Sequence, residues 1–172
     1  MDGTDLPARL AELEERVARL EQRDVQQTSR TGADPEVFWA LNGLRERLEP
    51  DAGAVLFAGA APLPTGEYYE WQQAATVGGL LDLDWAECSA AFNALGHPVR
   101  LLLLREVLGG ARTGAELKEH EALGTTGQLY HHIRQLVAAG WLQAAGRGRY
   151  VVPGARVVPL LVLLAAVNPP AT

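Results

Sequence analysis

Two short stretches, Thr113-Gly-Ala-Glu116 and Thr125-Thr-Gly-Gln128, constrain this chain more than any other feature. In each, a threonine hydroxyl can accept the backbone N–H three residues on, and the Glu or Gln there can reach back. Each therefore marks a helix start. The first helix has room to run through about His120, followed by a brief turn over residues 121–124. The second runs to about Ala139, with Leu129, Ile133, Leu136 and Val137 as its apolar stripe and Gly140 as its stop. Gly127, Gln128, His131, Arg134 and Gln135 project from the other side, Tyr130 sits on the flank, and no acid shares that face. A short helix, a tight turn and a longer helix with donors near its start is the order of a helix-turn-helix.

The flanking sequence extends the pattern. Upstream, residues 85–95 and 97–108 read as two helices parted by Gly96; the second presents Val99, Leu102, Leu103 and Val107 to a core and ends at Gly109-Gly110. Downstream, Trp141-Leu-Gln-Ala and Tyr150-Val-Val read as short strands joined through Gly146-Arg-Gly-Arg149. That makes a β-wing tipped with Arg147 and Arg149, a residue type suited to phosphate or to a narrow minor groove. The last apolar stretch, RVVPLLVLLAAV, is a helix within residues 153–167, with Pro159 near its first turns. Being apolar on nearly every side, it is expected to pack on its copy in a second subunit through Leu160, Leu161, Leu163 and Leu164.

Residues 94–152, above all ALGHPVRLLLLREVL, TGAELKEH, LGTTGQLYHHIRQLVAAGWL and RGRY, resemble the winged helix-turn-helix transcriptional regulators of the ArsR type. With the last helix the likeness reaches residue 167. It implies a homodimeric bacterial repressor or activator on a near-palindromic DNA operator. Residues matching Thr125, Thr126, Gln128, Tyr130 and His131 lie at the groove in that family; Gly127 shares their surface, Arg134 matches a phosphate contact, and Arg147 and Arg149 match the wing tip. His132 matches a histidine that supports the fold. Metal-sensing members use cysteine pairs in the first helix of the motif or Asp/His sets on the last helix. TGAELKEH has no cysteine and residues 153–167 have no Asp, Glu or His, so no metal site is expected. His97, His120 and Cys88 are read as structural or surface residues, the cysteine as a small buried one.

Residues 1–84 lie outside the resemblance. Leu6, Leu10, Leu13, Val17 and Leu20 form a heptad seam, with Arg9 and Arg16 placed to meet Glu14 and Glu21 of a parallel partner. The alternative is an amphipathic helix packed on its own domain. Asp34-Pro35-Glu36 looks like an N-cap followed by a helix presenting Val37, Phe38, Leu41, Leu44 and Leu48 and stopping before Pro50. From Gly53 to Thr76 a β-hairpin is predicted around Leu63-Pro64-Thr65-Gly66, with Leu56, Ala58 and Ala60 opposite Gln73, Trp71 and Tyr69. Its aromatic residues Phe57, Tyr68, Tyr69 and Trp71, with Trp85, are either a ligand pocket or simply the packing face of the sheet.

The predicted chain is thus mainly α with a small β component. Residues 1–30 form a coiled-coil helix and linker, 31–84 a helix plus β-hairpin module for dimerisation or sensing, and 85–172 the winged helix-turn-helix with a C-terminal dimerisation helix. Charge divides along similar lines. Residues 1–84 carry seven basic and sixteen acidic groups, and residues 85–172 eight basic and five acidic, so the second half suits a polyanion although the whole chain is at −6. The single cysteine, the absence of a signal-like start and the short apolar runs point to a cytoplasmic protein off the membrane. No Gly-rich phosphate loop, metal set, Gly-x-Ser-x-Gly elbow or spaced acid pair offers a catalytic group, so neither an enzyme nor a cofactor is expected. The leading reading is a sequence-specific DNA-binding regulator, with a small-molecule or protein effector left open. The alternative is a winged-helix interaction module whose acidic N-terminal half binds a partner or ligand.

Overall fold

The computed structural model describes residues 9–19 and 36–168. The chain separates into two compact units, residues 1–47 and 48–172. In the first, residues 9–19 form helix α1 and Trp39–Arg45 form α2. Leu10, Leu13 and Val17 all lie exposed on α1, while Leu6 and Leu20 of the seam fall outside the described residues. Helix α2 is shorter than its sequence pattern suggests. Glu36 and Val37 form a turn, Phe38 is the N-cap without a side-chain bond, and Arg45 is the last helical residue; Asp34 and Pro35 lie outside the described residues. No residue of α2 is buried and Gly43 sits inside it, so neither packing nor propensity carries the helix further.

The second unit begins with antiparallel strands β1 (Ala54–Pro62) and β2 (Tyr68–Thr76). The turn lies where the sequence places it, but the register differs by one residue. Ala58 pairs with Gln72, Gly59 with Trp71 and Ala61 with Tyr69, so Leu56, Ala58 and Ala60 do not face Gln73, Trp71 and Tyr69. The cause is local. The Gly66 N–H donates to Leu63 O at 3.0 Å, the Leu63 N–H donates to Glu67 O at 2.8 Å, and Gly66 takes φ +84°. The loop is therefore three residues long, a turn followed by a left-handed glycine, and the extra residue shifts the pairing. Small residues still lie under large rings, but the glycine rather than an alanine faces Trp71.

Next come α3 (Val77–Leu81), a 3-10 turn at Trp85–Cys88, α4 (Ser89–Leu95), α5 (Pro98–Gly109), α6 (Gly114–Lys118), a 3-10 turn at Glu121–Leu123 and α7 (Thr126–Ala138). Strands β3 (Gln143–Ala144) and β4 (Tyr150–Val151) form a second small antiparallel ribbon, and α8 (Gly154–Val167) ends the described fold. The architecture is mainly helical with a minor antiparallel β component.

One hydrocarbon core unites this unit. Leu103, Leu104 and Val107 of α5, Leu117 of α6, Leu129, Ile133 and Leu136 of α7, and Val157, Val158 and Leu160 of α8 are its centre. Among the described residues no polar or charged one is buried. Trp141 closes the core after α7, donating its indole N–H to Ala91 O at 3.0 Å, with the Arg156 guanidinium 4.9 Å from the ring centroid.

The β1–β2 hairpin belongs to the same core, within the compact unit that begins at Leu48. Ala61 is buried within it, and Leu63 and Tyr69 pack against it. Gly59 meets α8 so closely that a Cβ there would sit 2.6 Å from Val158 Cγ1. Small residues on β1 are thus the seat of the last helix, a long-range reason that the strand's own pattern does not display.

Helix α8 is also less symmetric than its composition implies. Leu160 is 1% exposed and belongs to its own chain's core, so it has no surface to offer a second copy. Leu163 is half-buried against the same core, whereas Leu161 and Leu164 are 38% and 41% exposed. Pro159 lies inside the helix that starts at Gly154, near its first turns as expected. Cys88, expected to be buried, is exposed, because the segment from Trp85 turns its short 3-10 helix outward. No helix of the described residues is long and apolar enough to cross a membrane.

Candidate nucleic-acid interface

Both predicted capping boxes form. At α6, Glu116 N–H donates to Thr113 Oγ1 at 3.2 Å, and Glu116 Oε2 accepts from Thr113 N–H at 2.7 Å and from Arg112 N–H at 2.8 Å. These donors hold the Glu116 carboxyl below its ordinary pKa, with Arg149 adding an attractive charge. At α7, Gln128 N–H donates to Thr125 Oγ1 at 3.4 Å, while Gln128 Oε1 accepts from Thr125 N–H at 2.9 Å and from its hydroxyl at 3.0 Å. The carboxamide oxygen of Gln128 is therefore engaged at the helix start. Its NH2 group is the end left for another partner.

From that start α7 divides cleanly. Leu129, Ile133 and Leu136 are buried, and Thr125, Thr126, Gly127, Gln128, His131, Arg134 and Gln135 are exposed. Val137 departs from the apolar stripe predicted for it. It is 39% exposed, whereas Leu129, Ile133 and Leu136 belong to the buried core, and α7 packs on α4 and α5. Tyr130 stands at the border, with its hydroxyl against Gly114, where a Cβ would lie 2.5 Å away, and with Lys118 Nζ 5.7 Å from the ring centroid. The close approach of α6 to α7 thus uses a glycine on one helix and a ring on the other.

Behind the exposed face, histidines hold the helix in place. The His97 and His132 rings lie 4.6 Å apart, and His131 meets His132 edge-on at 5.6 Å. His97 caps α5, its Nδ1 accepting from Val99 N–H at 3.2 Å. The buried His132 Nδ1 has no partner; burial pushes the ring's pKa down, helped by His97, Arg100 and His131. His132 is therefore neutral near pH 7 and lies beneath the surface, while His131 points outward. His120 pairs instead with Glu106 at 3.3 Å.

The β3–β4 ribbon carries Arg147 and Arg149 at an exposed tip. Gly146, Arg147 and Gly148 all take positive φ, +79°, +51° and +70°, which folds the backbone sharply and leaves both guanidinium groups outside the core. Ala145 N–H donates to Arg149 O at 2.8 Å to close the tip. The ribbon has a third neighbour that its sequence does not announce. Tyr150 N–H donates to Arg112 O at 2.7 Å, and Thr113 bridges Arg149. The segment before α6 thus acts as a flanking strand.

The aromatic residues singled out as a pocket are spread over different surroundings. Tyr69 packs on the core, Phe57 is half-buried, Trp71 is exposed and donates weakly to Gln73 at 3.4 Å, and the exposed Trp85 donates to Leu80 O at 2.8 Å. An apolar cleft of about 310 Å³ lies elsewhere, between the hairpin turn, α5 and α8, lined by Leu63, Leu101, Leu108, Leu161 and Leu164 with Arg105 at its rim. None of the five aromatic candidates, Tyr68 included, lines it. Among the described residues no cluster of three or more His, Cys, Asp or Glu side chains could hold a metal ion.

No protein-family model matches the chain, and no solved structure does. A curated protein does match in part. Over 75 residues, 42% of this chain and 59% of the relative, the sequence is 40% identical to a probable mercury resistance operon repressor of Streptomyces lividans, and so is similar to a regulator of an operon rather than to an enzyme.

Proposed function

We propose that the chain is a sequence-specific DNA-binding transcriptional regulator of the ArsR winged-helix type, working as a homodimer on a near-palindromic operator in the bacterial cytoplasm. One observation carries this reading: a capped helix whose exposed side holds Gln128, His131, Arg134 and Gln135, without an acid, and an arginine-tipped ribbon both extend from one hydrophobic core. The likeness to an operon repressor supports it. Helix α7 enters the major groove, where the Gln128 NH2 group and His131 read base edges, with Thr125, Thr126, Gly127 and Tyr130 bordering the contact. Arg134 meets the phosphate backbone, and Arg147 and Arg149 form a wing on phosphates or in the minor groove.

Dimerisation draws on the surfaces that one copy leaves bare. These are Leu161 and Leu164 on α8 and, in the other unit, Leu10, Leu13 and Val17 on α1. Residues 1–30 supply a coiled coil in this reading, and two copies of α7 then reach successive major grooves about one helical turn apart.

The test compares two variants over a panel of duplexes and salt concentrations. Gln128→Ala relaxes base preference, at about 1–3 kcal/mol of discrimination. Arg149→Ala weakens all duplexes alike and flattens the salt dependence. Identical behaviour of the two variants overturns this division of roles. Failure of the wild type to bind any genomic fragment about 10³-fold above random sequence overturns the reading itself.

A further inference from the structure

The hairpin formed by β1 and β2 lies outside the family resemblance, yet one of its side chains touches the support of the wing. Glu67 stands just before β2, its backbone fixed by the Leu63 N–H to Glu67 O bond of 2.8 Å. Its Oε2 accepts from Thr65 Oγ1 at 2.8 Å and from the Arg112 guanidinium. The Arg112 side chain is only 16% exposed, with Nε covered and unpartnered, so Glu67 is the group that compensates a largely buried cation.

Arg112 also holds two other parts through its backbone. Its N–H donates to Glu116 Oε2 in the α6 capping box, and its C=O accepts from Tyr150 N–H in β4. The next residue, Thr113, bridges Arg149. One residue thus links three things: the hairpin by its side chain, the first helix of the motif by its amide, and the wing by its carbonyl.

We propose that Glu67 is a positioning residue for DNA binding, fixing Arg112 and through it the wing strand that aims Arg149. The inference rests on the DNA-binding reading above for its functional meaning. Removing the carboxylate leaves the guanidinium buried without its counter-charge. Arg112 then turns towards water, and the flanking strand that holds Tyr150 and Arg149 loosens with it.

The sign of the effect makes the idea testable. Deleting an acid from a DNA-binding protein ordinarily tightens binding, because it removes repulsion of phosphate. Glu67→Gln is expected to do the opposite, weakening operator binding roughly three- to tenfold. Glu70→Gln is the control, since Glu70 is an acid of the same hairpin bonded only to Tyr68 at 3.0 Å among the described contacts; it should leave affinity unchanged or slightly raised. In an Arg149→Ala background the Glu67→Gln effect should vanish, because the two act on one contact. A purely structural loss would instead persist there.

Operator affinity of the full chain is measured for wild type, Glu67→Gln, Glu70→Gln, Arg149→Ala and the Glu67→Gln/Arg149→Ala double variant, together with hydrogen exchange at the Tyr150 amide. Weakening by Glu67→Gln but not by Glu70→Gln, no further weakening when Glu67→Gln is added to Arg149→Ala, and faster exchange at Tyr150 support the proposal. Binding as tight as wild type, or weakening undiminished without Arg149, overturns it. Should the wild type bind no duplex, the DNA-binding reading fails on its own account. Exchange at Tyr150 still decides whether Glu67 holds the wing: faster in Glu67→Gln supports the link, and unchanged exchange overturns it.

Discussion

The two antiparallel hairpins of the second unit share a motif and differ in what holds them. The β1–β2 hairpin pairs nine residues on each strand and lays Gly59, Ala61 and Tyr69 against the core and α8. The β3–β4 ribbon pairs two residues on each strand; Gln143 and Ala144 are exposed, and its outer support is the backbone of Arg112 and Thr113. A two-stranded hairpin alone is marginal in water. The long one is therefore made stable by burial, and the short one is made definite by neighbours while its tip stays free. The same element serves as a wall in one place and as a finger in the other.

Four experiments press on that contrast. The largest effect belongs to the finger. On the proposed reading, replacing Arg147 and Arg149 together by alanine removes two charged contacts to phosphate and should cost roughly 3 kcal/mol in operator affinity, and should lower the salt-dependence exponent by about 2. The unfolding midpoint should not move; a large drop in stability would mean that the tip is structural after all.

Gly59→Val tests the wall. A branched side chain forced towards Val158 overpacks the joint and should cost about 1–3 kcal/mol in denaturant unfolding. Unchanged stability would show that β1 is not seated on α8. A matched pair comes next. Gly66→Ala and Gly148→Ala each place a side chain at positive φ, a cost of about 1–2 kcal/mol. In the long hairpin the strain should appear in the melting temperature, whereas in the ribbon it should appear in DNA affinity with little change in melting. Equal thermal losses would erase the distinction.

The smallest effect is a pH dependence at the base of the ribbon. The folded pKa of Glu116 is depressed, so its contribution to stability is complete above the ordinary value of 4.5 and is lost as pH falls through the lower folded value. Glu116→Gln keeps a residue that can close the box, as Gln128 does in the second one, but cannot titrate. Below pH 4.5 the variant should lose less stability than wild type, as read from acid unfolding curves. Parallel curves would place the charge of Glu116 outside the ribbon's support.

Much of the fold was legible in the sequence because it is locally encoded. Thr113 and Thr125 announce their helices through partners three residues away, Gly110 and Gly140 end theirs, and Leu129, Ile133 and Leu136 recur at helical spacing. The outward face of α7 follows from the same periodicity. What escaped reading depends on distant pairs or on a single dihedral. The hairpin register turned on whether Gly66 would take a left-handed conformation. Leu160 and Val137 looked interchangeable with their neighbours until the core chose between them. Nothing near Glu67 names Arg112, since an ion pair across 45 residues leaves no periodic trace. Gln128 was legible both as a cap and as a reader of bases; only the geometry shows that its oxygen is committed to the first.

The seating of β1 on the last helix also decides how the protein can be cut. A fragment starting at residue 85, the expected start of the winged helix-turn-helix, would strip Ala61, Leu63 and Tyr69 from the hydrocarbon they cover. It would emerge from the ribosome with a bald, adhesive flank, prone to clump. The smallest soluble piece should start at or before residue 48.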